Sequence, residues 1–437
     1  MTIRMTRRQA LEVGGMAAMG LALAAGSSAE GEGDLGKPIR AGVIGTGNRG
    51  KSLLGDMLMI PGLEVPALCD INPGNLEMAQ ALLEKNGRPR AEGYQDGEEA
   101  YLKLLQREDL DAVIIATPWQ LHTPMAVAGM KHGKYVGVEV PAAISYEGCW
   151  ELVNTYEETR VPCMMLENWS FRRDNLAVLR MIREGLFGEI VHCHCAHSHD
   201  CVDHWFFDSE GNIRWGGEFL IKYNRDQYPT HSQGPVLSWM DINCGDAYAT
   251  LVATASDSKG INAFFERKFG PDHPNAKQAY KQGDIVTSMV RTQRGKTLVI
   301  NYDMQLPRPY DNRWMIQGTL GLYDEPHNSV YIEGRSPENH TWEPFPPYQD
   351  QYDHPWWKEI DKNAGAAGHG GTDYLELVKF FEAVRNKTQT PIDVYDSATM
   401  SSIIPLSEDS IARGSQPVVC PDYTRGAWKT RKPTFAV

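Results

Sequence analysis

The feature that most constrains the fold is a glycine-rich turn that directly follows an apolar segment. Residues 39–44 read as a buried strand, and Gly45, Gly47 and Gly50 follow it with the spacing GxGxxG. The first glycine permits a tight turn from strand to helix, the second lets a pyrophosphate approach the backbone, and the third lets the helix pack on the strand. This order predicts the first strand and helix of a parallel sheet that binds a dinucleotide.

A carboxylate further along the chain supports the dinucleotide prediction. Asp70 ends a second apolar run, about 25 residues after Gly45, where an acid accepts hydrogen bonds from the adenosine ribose. A negative charge there repels a 2′-phosphate, so the sequence favours NAD(H) over NADP(H), and Arg49 weakens that preference. Asn48 and Arg49 complete the predicted cofactor turn.

Short apolar runs alternate with helical stretches as far as about residue 161, which is typical of a doubly wound α/β sheet. Ligands bind at the carboxyl ends of the strands in such sheets. Four residues that follow the later predicted strands are therefore assigned to the NAD site, namely Thr117, Pro118, His122 and Glu139. Trp119 and Asn168 are assigned to the same site.

The texture of the chain changes near residue 162, where longer β-rich segments are broken by loops rich in Trp, Pro and Tyr. A chain of 437 residues with 42% hydrophobic residues can bury two cores. A late helix is predicted to begin at Asp373, with Thr372 or Asp373 as its cap. The predicted divisions are an export signal at 1–30, a Rossmann domain at 38–161, an α+β substrate domain with a large open, mostly antiparallel sheet at 162–415, and a tail at 416–437.

The first 30 residues are predicted to be an export signal. Arg7 and Arg8 form a twin-arginine pair, and a mildly apolar stretch follows that ends near Ala29. A buried amino-terminal helix is the alternative. The apolar stretch has no cysteine for a lipid anchor, and no later segment is long enough to span a bilayer. We therefore expect a periplasmic or secreted protein whose eight cysteines are mostly buried thiols, with room for one late disulfide.

The charge balance narrows the expected partners. The chain has 43 Lys and Arg against 56 Asp and Glu, a formal net charge of −13. An acidic chain is repelled by nucleic acids and by anionic membranes. A small molecule is the expected ligand.

Several segments resemble glycosyl hydrolase family 109 within the Gfo/Idh/MocA oxidoreductase superfamily. In the first domain they are IGTGNRG, ATPxxxH and VEVP, and in the second they are SHD at 198–200, YPTHSQGP at 228–235, LPRPYDNR at 306–313 and GHGGTDY at 368–374. The resemblance covers essentially the whole mature chain. It implies an NAD-dependent α-N-acetylgalactosaminidase that acts on a small carbohydrate or glycan terminus. It also implies a homodimer formed through the open sheet.

The resemblance further implies a mechanism in which NAD⁺ is regenerated in every turnover. Hydride leaves C3 of the terminal sugar, the ketone acidifies the C2 proton, the C1 oxygen is eliminated, water adds, and the hydride returns. This route needs proton-transfer groups instead of a carboxylate pair. His231 is predicted as acid or base because imidazole titrates near neutral pH. Tyr228 lies beside it in a Pro-containing loop, and Glu139 orients the nicotinamide or a sugar hydroxyl.

Two residues depart from the related sequences. Sugar dehydrogenases of the superfamily have a lysine where this chain has Val140. A valine moves no proton, so the proton chemistry is expected from the second domain. The family's ENxxY tyrosine, proposed as the base at C2, is Phe171 here. Either Tyr223, His199 or Tyr310 replaces it, or the substrate differs from the usual one.

Predicted sugar contacts come from loops of the second domain. His199 and Asp200 are assigned to the substrate together with Tyr228 and His231. Trp119 and Tyr310 are the aromatic rings preferred for stacking on a pyranose. The possible polar contacts that flank Tyr310 are Arg308 and Asn312.

A run rich in His and Cys at 192–204 suggests a metal site at first sight. Strand alternation splits the run, with Cys193, Cys195, His197 and His199 on one face. Residues two apart on a strand are separated by about 6.5–7 Å, which is wide for tetrahedral zinc. The sequence therefore argues against a metal site.

Two other functions stay open. The first is an exported sugar oxidoreductase with tightly bound NAD(P), which Val140 disfavours because the expected lysine is missing. The second is a non-catalytic, NAD-dependent sugar-binding protein, which Phe171 and Val140 favour and the YPTH and SHD segments disfavour.

Overall fold

Two β-sheets and the helices packed on them form the structure, a computed structural model that describes residues 37–360 and 367–437. The predicted export signal at residues 1–30 lies outside the described residues. Within the described ranges, no helix has both the length and the apolar character needed to cross a membrane. All eight cysteines lie in these ranges with free thiols; seven are buried, and Cys244 is half-buried.

The first sheet consists of parallel strands that alternate with helices. Its elements are β1 (Ile39–Ile44), α1 (Asn48–Met57), β2 (Leu63–Cys69), α2 (Pro73–Lys85), β3 (Glu92–Tyr94), α3 (Ala100–Leu105), β4 (Ala112–Ile115), α4 (Trp119–Lys131), β5 (Tyr135–Val138), α5 (Tyr146–Thr159) and β6 (Cys163–Met165). The strand order is β3-β2-β1-β4-β5-β6. The order reverses between β1 and β4, which is where doubly wound sheets bind ligands.

The second sheet is larger and mostly antiparallel. Its strands and the helices around them are α6 (Arg173–Arg183), β7 (Ile190–Ser198), α7 (Trp215–Lys222), α8 (Thr230–Trp239), β8 (Tyr248–Ala255), α9 (Gly260–Phe269), α10 (Pro274–Lys277), β9 (Ile285–Thr292), β10 (Thr297–Asp303), β11 (Met315–Gly318), β12 (Gly321–Asp324), β13 (Ser329–Ile332), β14 (Glu343–Pro344), α11 (Pro346–Gln351), α12 (Pro355–Glu359), α13 (Thr372–Asn386), α14 (Val394–Ala412) and β15 (Val418–Val419). The strand order is β14-β13-β12-β11-β7-β10-β9-β8-β15. Strands β7 and β10 are parallel, and the other neighbours are antiparallel.

The predicted fold class is confirmed: a doubly wound parallel sheet is followed by a large, mostly antiparallel one. Both sheets belong to one compact unit, Pro38–Val437. The segment predicted as a tail adds β15 to the edge of the second sheet beside β8. Near the end of that segment, Phe435 packs its ring 5.1 Å from that of Phe171.

Two late helices return to the first sheet. Helix α13 packs on α1 and β1, and α14 packs on α5 and β6. The cap predicted for α13 is wrong, because Gly371 is the N-cap residue and neither Thr372 nor Asp373 caps the first turn. The return of α13 instead brings Asp373 beside the glycine turn.

Candidate active site

The glycine turn has the geometry that a dinucleotide requires. Gly45 has φ +86°, and a Cβ there would lie 2.6 Å from the Ala116 carbonyl oxygen. A Cβ on Gly50 would lie 1.8 Å from the Gly45 oxygen, so the helix packs on the turn only with glycine. Gly47 is the N-cap of α1, and no side chain caps that helix. Among the described residues, a Cβ on Gly47 would meet only the Asn75 side chain, at 3.8 Å, which leaves room for a pyrophosphate to approach the backbone N–H groups.

Asp70 follows β2 and is tied to the same turn. Its Oδ2 accepts a hydrogen bond from the Thr46 N–H at 2.8 Å, and its Oδ1 accepts one from the Asn72 N–H at 2.8 Å. The residue is 8% exposed. Asp70 therefore fixes the turn as well as placing a carboxylate at the end of β2, where the ribose contact was predicted.

Arg49 is held by two carboxylates. Its Nε donates to Glu139 Oε1 at 2.6 Å, and its Nη1 donates to Asp373 Oδ2 at 2.5 Å. The guanidinium thus links the glycine turn, the end of β5 and the start of α13. Because its donors are used in this way, Arg49 is not free to bind a 2′-phosphate, and the expected weakening of the NAD preference loses its basis.

Asp373 is the point where three segments meet. Besides Arg49, it accepts hydrogen bonds from Asn168 Nδ2 at 2.6 Å and from His369 Nδ1 at 2.8 Å. Burial alone would raise the pKa of Asp373, but the hydrogen bonds from His369 and Arg49 hold it well below its ordinary value. The carboxylate is therefore charged, and it fixes Asn168, a residue assigned to the cofactor site by sequence.

A second carboxyl group lies one helical turn further along α13. Glu376 is fully buried, and neither of its oxygens has a hydrogen-bond partner in the described residues. Burial, reinforced by the neighbouring Asp373, raises the pKa of Glu376 well above its ordinary value. Burial therefore favours the protonated form of this side chain beside the charged Arg49 cluster.

Glu167, His231 and Tyr228 form a hydrogen-bonded relay. His231 Nδ1 donates to Glu167 Oε2 at 2.8 Å, so its Nε2 is left to accept from the Tyr228 hydroxyl at 3.3 Å. The other oxygen of the fully buried Glu167 accepts from the Trp169 N–H at 3.0 Å. Burial raises the pKa of Tyr228 well above its ordinary value, so the phenol keeps its proton at rest.

The structure brings together Tyr228 and His231 as predicted, with one local difference. His231 lies in the first turn of α8, not in a loop, while Tyr228 lies just before that helix. Sequence reasoning missed Glu167, the acceptor that fixes the imidazole. Glu167 follows β6, so the strand-end rule that selected Glu139 was the signal for it.

His197 lies among the rings of this relay. Its ring centroid is 5.1 Å from that of Tyr228, 5.4 Å from His231, 5.6 Å from Tyr310 and 6.1 Å from His199. Both ring nitrogens are buried without a hydrogen-bond partner in residues 37–360 and 367–437. Burial lowers the pKa of His197 well below its ordinary value, so the imidazole is neutral. Buried polar atoms without partners are uncommon and call for an explanation.

The residues that follow β4 make contacts within the protein backbone. His122 is buried, with Nδ1 2.8 Å from the Pro141 oxygen and Nε2 2.7 Å from the Thr117 oxygen. Pro118 is the N-cap of α4. His122 thus joins the segments that follow β4 and β5, one of which carries Glu139.

Trp119 supports Tyr228 from inside an aromatic cluster. Its ring stacks on Tyr228 at 5.5 Å and meets Trp205 at 5.4 Å and Trp215 at 5.2 Å. Only 3% of Trp119 is exposed. The structure therefore leaves no free face of Trp119 for a pyranose, contrary to the stacking prediction.

Tyr310 does lie at the rim of the site. It is 41% exposed, and its ring is 5.0 Å from His199 and 6.0 Å from Trp169. Trp169 and His369 line an open depression of about 570 Å³ beside this rim. A sugar ring therefore has room next to Trp169, whose ring lies 6.0 Å from that of Tyr310.

Several other predicted contacts are engaged elsewhere. Arg308 pairs with Asp303 at 2.5 Å and with Asp311 at 2.9 Å. Asn312 donates to the Ala196 oxygen at 3.2 Å and is 1% exposed. These two residues shape the Tyr310 loop and are not presented to a ligand.

Asp200 is close to the rim but is used locally. Its Oδ1 accepts from the Val202 N–H at 3.3 Å.

Two positions linked to the missing C2 base are packed against other side chains. Phe171 is fully buried and stacks on Trp356 at 5.9 Å. Tyr223 stacks under the Arg225 guanidinium at 3.8 Å and against Phe219 at 5.7 Å. Of the proposed replacements, only His199 and Tyr310 belong to the group of rings around His197.

Comparison with known proteins decides the family. Residues 171–430 match the family described as glycosyl hydrolase 109, C-terminal domain, and residues 39–167 match the oxidoreductase family with an NAD-binding Rossmann fold. The chain belongs to glycosyl hydrolase family 109. It is a glycoside hydrolase built on an NAD-binding Rossmann domain, and the resemblance seen in its sequence is confirmed.

Relatives of this family 109 member match most of its length. A protein of Tannerella forsythia named alpha-N-acetylgalactosaminidase is 43% identical, over 91% of this chain and 89% of its own. A glycosyl hydrolase family 109 protein of Stenotrophomonas maltophilia is 41% identical, over 92% of both chains.

Solved structures share the fold. Levoglucosan dehydrogenase, in complex with NADH and L-sorbose, has a TM-score of 0.65 at 19% identity and covers 88% of this chain and 100% of its own. The myo-inositol dehydrogenase of Lactobacillus casei, in complex with NAD(H) and myo-inositol, has a TM-score of 0.60 at 16% identity and covers 88% of this chain and 97% of its own.

Proposed function

We propose that this glycoside hydrolase removes terminal α-linked N-acetylgalactosamine, or a related hexose, by transient oxidation and re-reduction of the sugar. The observation that carries the proposal is the relay of Glu167, His231 and Tyr228 at the carboxyl edge of a Rossmann sheet. The name of the Tannerella forsythia relative supports the choice of sugar.

The glycine turn and Asp70 fit a dinucleotide, so NAD is the proposed cofactor. Gly45, Gly47 and Gly50 would hold its pyrophosphate, and Asp70 its ribose. When bound, NAD⁺ supplies a hydride acceptor for C3 of the sugar and later a donor for the same carbon. Arg49 and Asn168 both donate to Asp373, and these bonds hold the glycine turn and the segment after β6 in place around this position.

Tyr228 and His231 are proposed to move the proton of the C3 hydroxyl. The phenol oxygen accepts that proton as its own moves to His231 Nε2. Glu167, which accepts from Nδ1 at 2.8 Å, stabilises the imidazolium that forms. The same path runs backwards when the ketone is reduced at the end of the cycle.

Tyr310 is the proposed base at C2 in place of the missing tyrosine. Tyr223 is held under Arg225, whereas Tyr310 is exposed beside the depression that Trp169 lines. Once C3 is a ketone, the C2 proton is acidic. The Tyr310 oxygen accepts it while the phenol's own proton passes to solvent at the exposed rim, the C1–O bond breaks, and the departing oxygen takes a proton from solvent. Protonation of C2 after water adds at C1 completes the exchange.

The experiment uses 4-nitrophenyl α-N-acetylgalactosaminide in heavy water. We expect cleavage with one deuterium at C2 of the released sugar, and pyridine nucleotide in the supernatant after the purified protein is denatured. Cleavage without deuterium at C2, or undiminished cleavage by protein that contains no nucleotide, would overturn the mechanism.

A matched pair of variants tests the relay. His231→Ala should lose turnover while it retains bound nucleotide, whereas His327→Ala, on an exposed turn, should behave as the wild type. Accumulation of an oxidised sugar with stoichiometric NADH would identify an oxidoreductase instead. Sugar binding without turnover would identify a binding protein.

We also propose that the protein is exported by the twin-arginine route to the periplasm or medium. Arg7 and Arg8 carry this proposal. Replacing both with lysine should retain the precursor in the cytoplasm. A normal distribution of the double variant between cell fractions would contradict it.

A homodimer through the open face of the second sheet is proposed as well. Met289 on β9 is 53% exposed, and its neighbours across the sheet are Val299 on β10 and Val252 on β8. An apolar row in the middle of a wide sheet suits a symmetric interface. Met289→Glu should shift the sedimentation of the protein from dimer to monomer, and a monomeric wild type would refute the proposal.

A further inference from the structure

Three side chains with metal-binding atoms converge just beyond the end of β7. The ligand atoms of His199, Cys201 and His204 all lie within 4.8 Å of one another. The imidazole rings of His199 and His204 are 5.3 Å apart. Nothing in the proposed hydrolytic reaction uses Cys201 or His204.

The backbone fixes this arrangement. The N–H groups of His199 and Cys201 donate to the carbonyl oxygens of Asp303 at 2.9 Å and Met304 at 3.1 Å, which anchors the segment beside the end of β10. A π-helical turn, Val202–Phe206, then begins. The N–H groups of Trp205 and Phe206 both donate to the Cys201 oxygen, so the chain folds back and carries His204 over Cys201.

The strand spacing used in the sequence prediction does not apply to these three residues. The spacing of about 6.5–7 Å applies only while the chain is extended. The strand ends at Ser198, so His199, Cys201 and His204 are not on one splayed strand. Cys193 and Cys195 are on the strand, are fully buried and are not part of the cluster.

The donors are available and chemically matched. The Cys201 thiol is fully buried and forms no disulfide. Two imidazoles and one thiolate suit a borderline-soft divalent ion, and a three-residue set leaves one tetrahedral position for water or another ligand. Asp200 and Asp203 place two carboxylates next to these ligands in the sequence. We propose that His199, Cys201 and His204 bind one zinc-class divalent ion at the rim of the active site, next to Tyr310.

Cobalt(II) is the probe, because a thiolate bound to it gives a near-ultraviolet charge-transfer band and a tetrahedral site gives strong visible bands. The untagged full-length protein is treated with a chelator and titrated with Co²⁺. We expect both sets of bands to saturate at one equivalent and to disappear when Zn²⁺ is added. Absence of saturable bands in the wild type would overturn the proposal.

Variants assign the ligands. Cys201→Ser should lose the near-ultraviolet band, while Cys244→Ser, at the half-buried cysteine outside the cluster, should keep it. His204 is exposed, so His204→Ala should fold normally and weaken Co²⁺ binding by at least about tenfold. His327→Ala is the matched histidine control. Unchanged bands and affinity in both Cys201→Ser and His204→Ala would also overturn the proposal, and this readout is independent of glycosidase activity.

Discussion

The glycine turn and the relay of Glu167, His231 and Tyr228 lie at the same edge of the first sheet but are assembled in different ways. The turn is made by six consecutive residues, Gly45 to Gly50. The relay joins Glu167 to His231, 64 residues apart, and the neighbouring Arg49–Asp373 pair spans 324 residues. A cofactor loop can therefore form locally, whereas the proton-transfer groups depend on the second sheet and on helices that return late in the chain.

The largest effect is expected when the acceptor that fixes the relay is removed. Glu167→Gln replaces a carboxylate with an amide that cannot stabilise an imidazolium at His231. We expect kcat to fall by about 10³–10⁴-fold, as when the equivalent carboxylate of a catalytic triad is neutralised. Steady-state kinetics, with measurement of bound nucleotide, checks this.

The control for this prediction is Glu184→Gln at the exposed end of α6, which should leave kcat unchanged. If Glu167→Gln lost its nucleotide to the same degree as its turnover, the two regions would not be separable, and the contrast between turn and relay would fail.

Two glycine variants test the turn, and the second largest effect is expected from them. Gly47→Ala has space within the protein, so the fold should survive, but its methyl group occupies the path of the pyrophosphate. We expect nucleotide affinity to fall by about 100-fold or more, equivalent to about 3 kcal/mol, with little change in thermal stability. Gly50→Ala, whose Cβ would lie 1.8 Å from the Gly45 oxygen, should instead lower stability. Calorimetry of NAD binding and thermal unfolding distinguish the two.

Equal loss of stability in both glycine variants would show that the turn is rigid throughout and that the space beside Gly47 is not a ligand path. Normal nucleotide binding by Gly47→Ala would place the cofactor elsewhere.

A smaller effect is expected at His197, where stability and turnover should move in opposite directions. His197→Phe replaces two buried nitrogens that have no partner in the described residues by an apolar ring of similar shape. Removing such orphan groups should raise the free energy of unfolding by about 1 kcal/mol. If those nitrogens serve the bound sugar or its water, kcat/KM should fall by about tenfold.

Urea unfolding and steady-state kinetics on the same preparation test this at His197. A stabilised variant with full activity would mean that the imidazole has no part in the reaction, while a destabilised one would mean that its nitrogens have partners such as ordered water.

Much of the fold followed from the sequence because its signals are local. The GxGxxG spacing, the carboxylate at Asp70 and the strand-end position of Glu139 fall where a doubly wound sheet places ligands. Tyr228 and His231 were found because they are three residues apart. Glu167, His369 and Asp373 were missed as partners, since their contacts depend on how distant segments pack.

The errors have the same origin. Trp119 was expected at a sugar because it follows a strand, but burial among other aromatic rings is decided by the second domain. The spacing argument against a metal assumed that the strand continued past Ser198, and no sequence pattern indicated the π-helical turn that carries His204 back; the prediction of no metal itself stays a prediction. Local sequence patterns predict backbone turns reliably. They predict less reliably whether an aromatic ring faces a ligand or packs inside the protein.

The smallest effect concerns how the relay is anchored, and it is a change in the pH dependence of stability. Asp226 precedes the relay, and its Oδ1 accepts from the Tyr228 N–H at 3.1 Å. Burial raises the pKa of Asp226 to about 7. The folded protein therefore keeps a proton there that the unfolded chain releases near pH 4. This contribution to stability is present below about pH 4 and is lost as the pH rises towards 7.

Asp226→Asn keeps an oxygen that accepts from Tyr228 but has no titrating proton. The variant should lose the part of the stability slope that lies between about pH 4 and 7, so that it gains on the wild type as the pH rises. Urea unfolding at several pH values measures the difference, and Asp272→Asn, at an exposed carboxylate, is the control. Parallel pH profiles for wild type and Asp226→Asn would show that Asp226 is charged in the fold, and that Tyr228 is anchored by a carboxylate and not by a neutral acid.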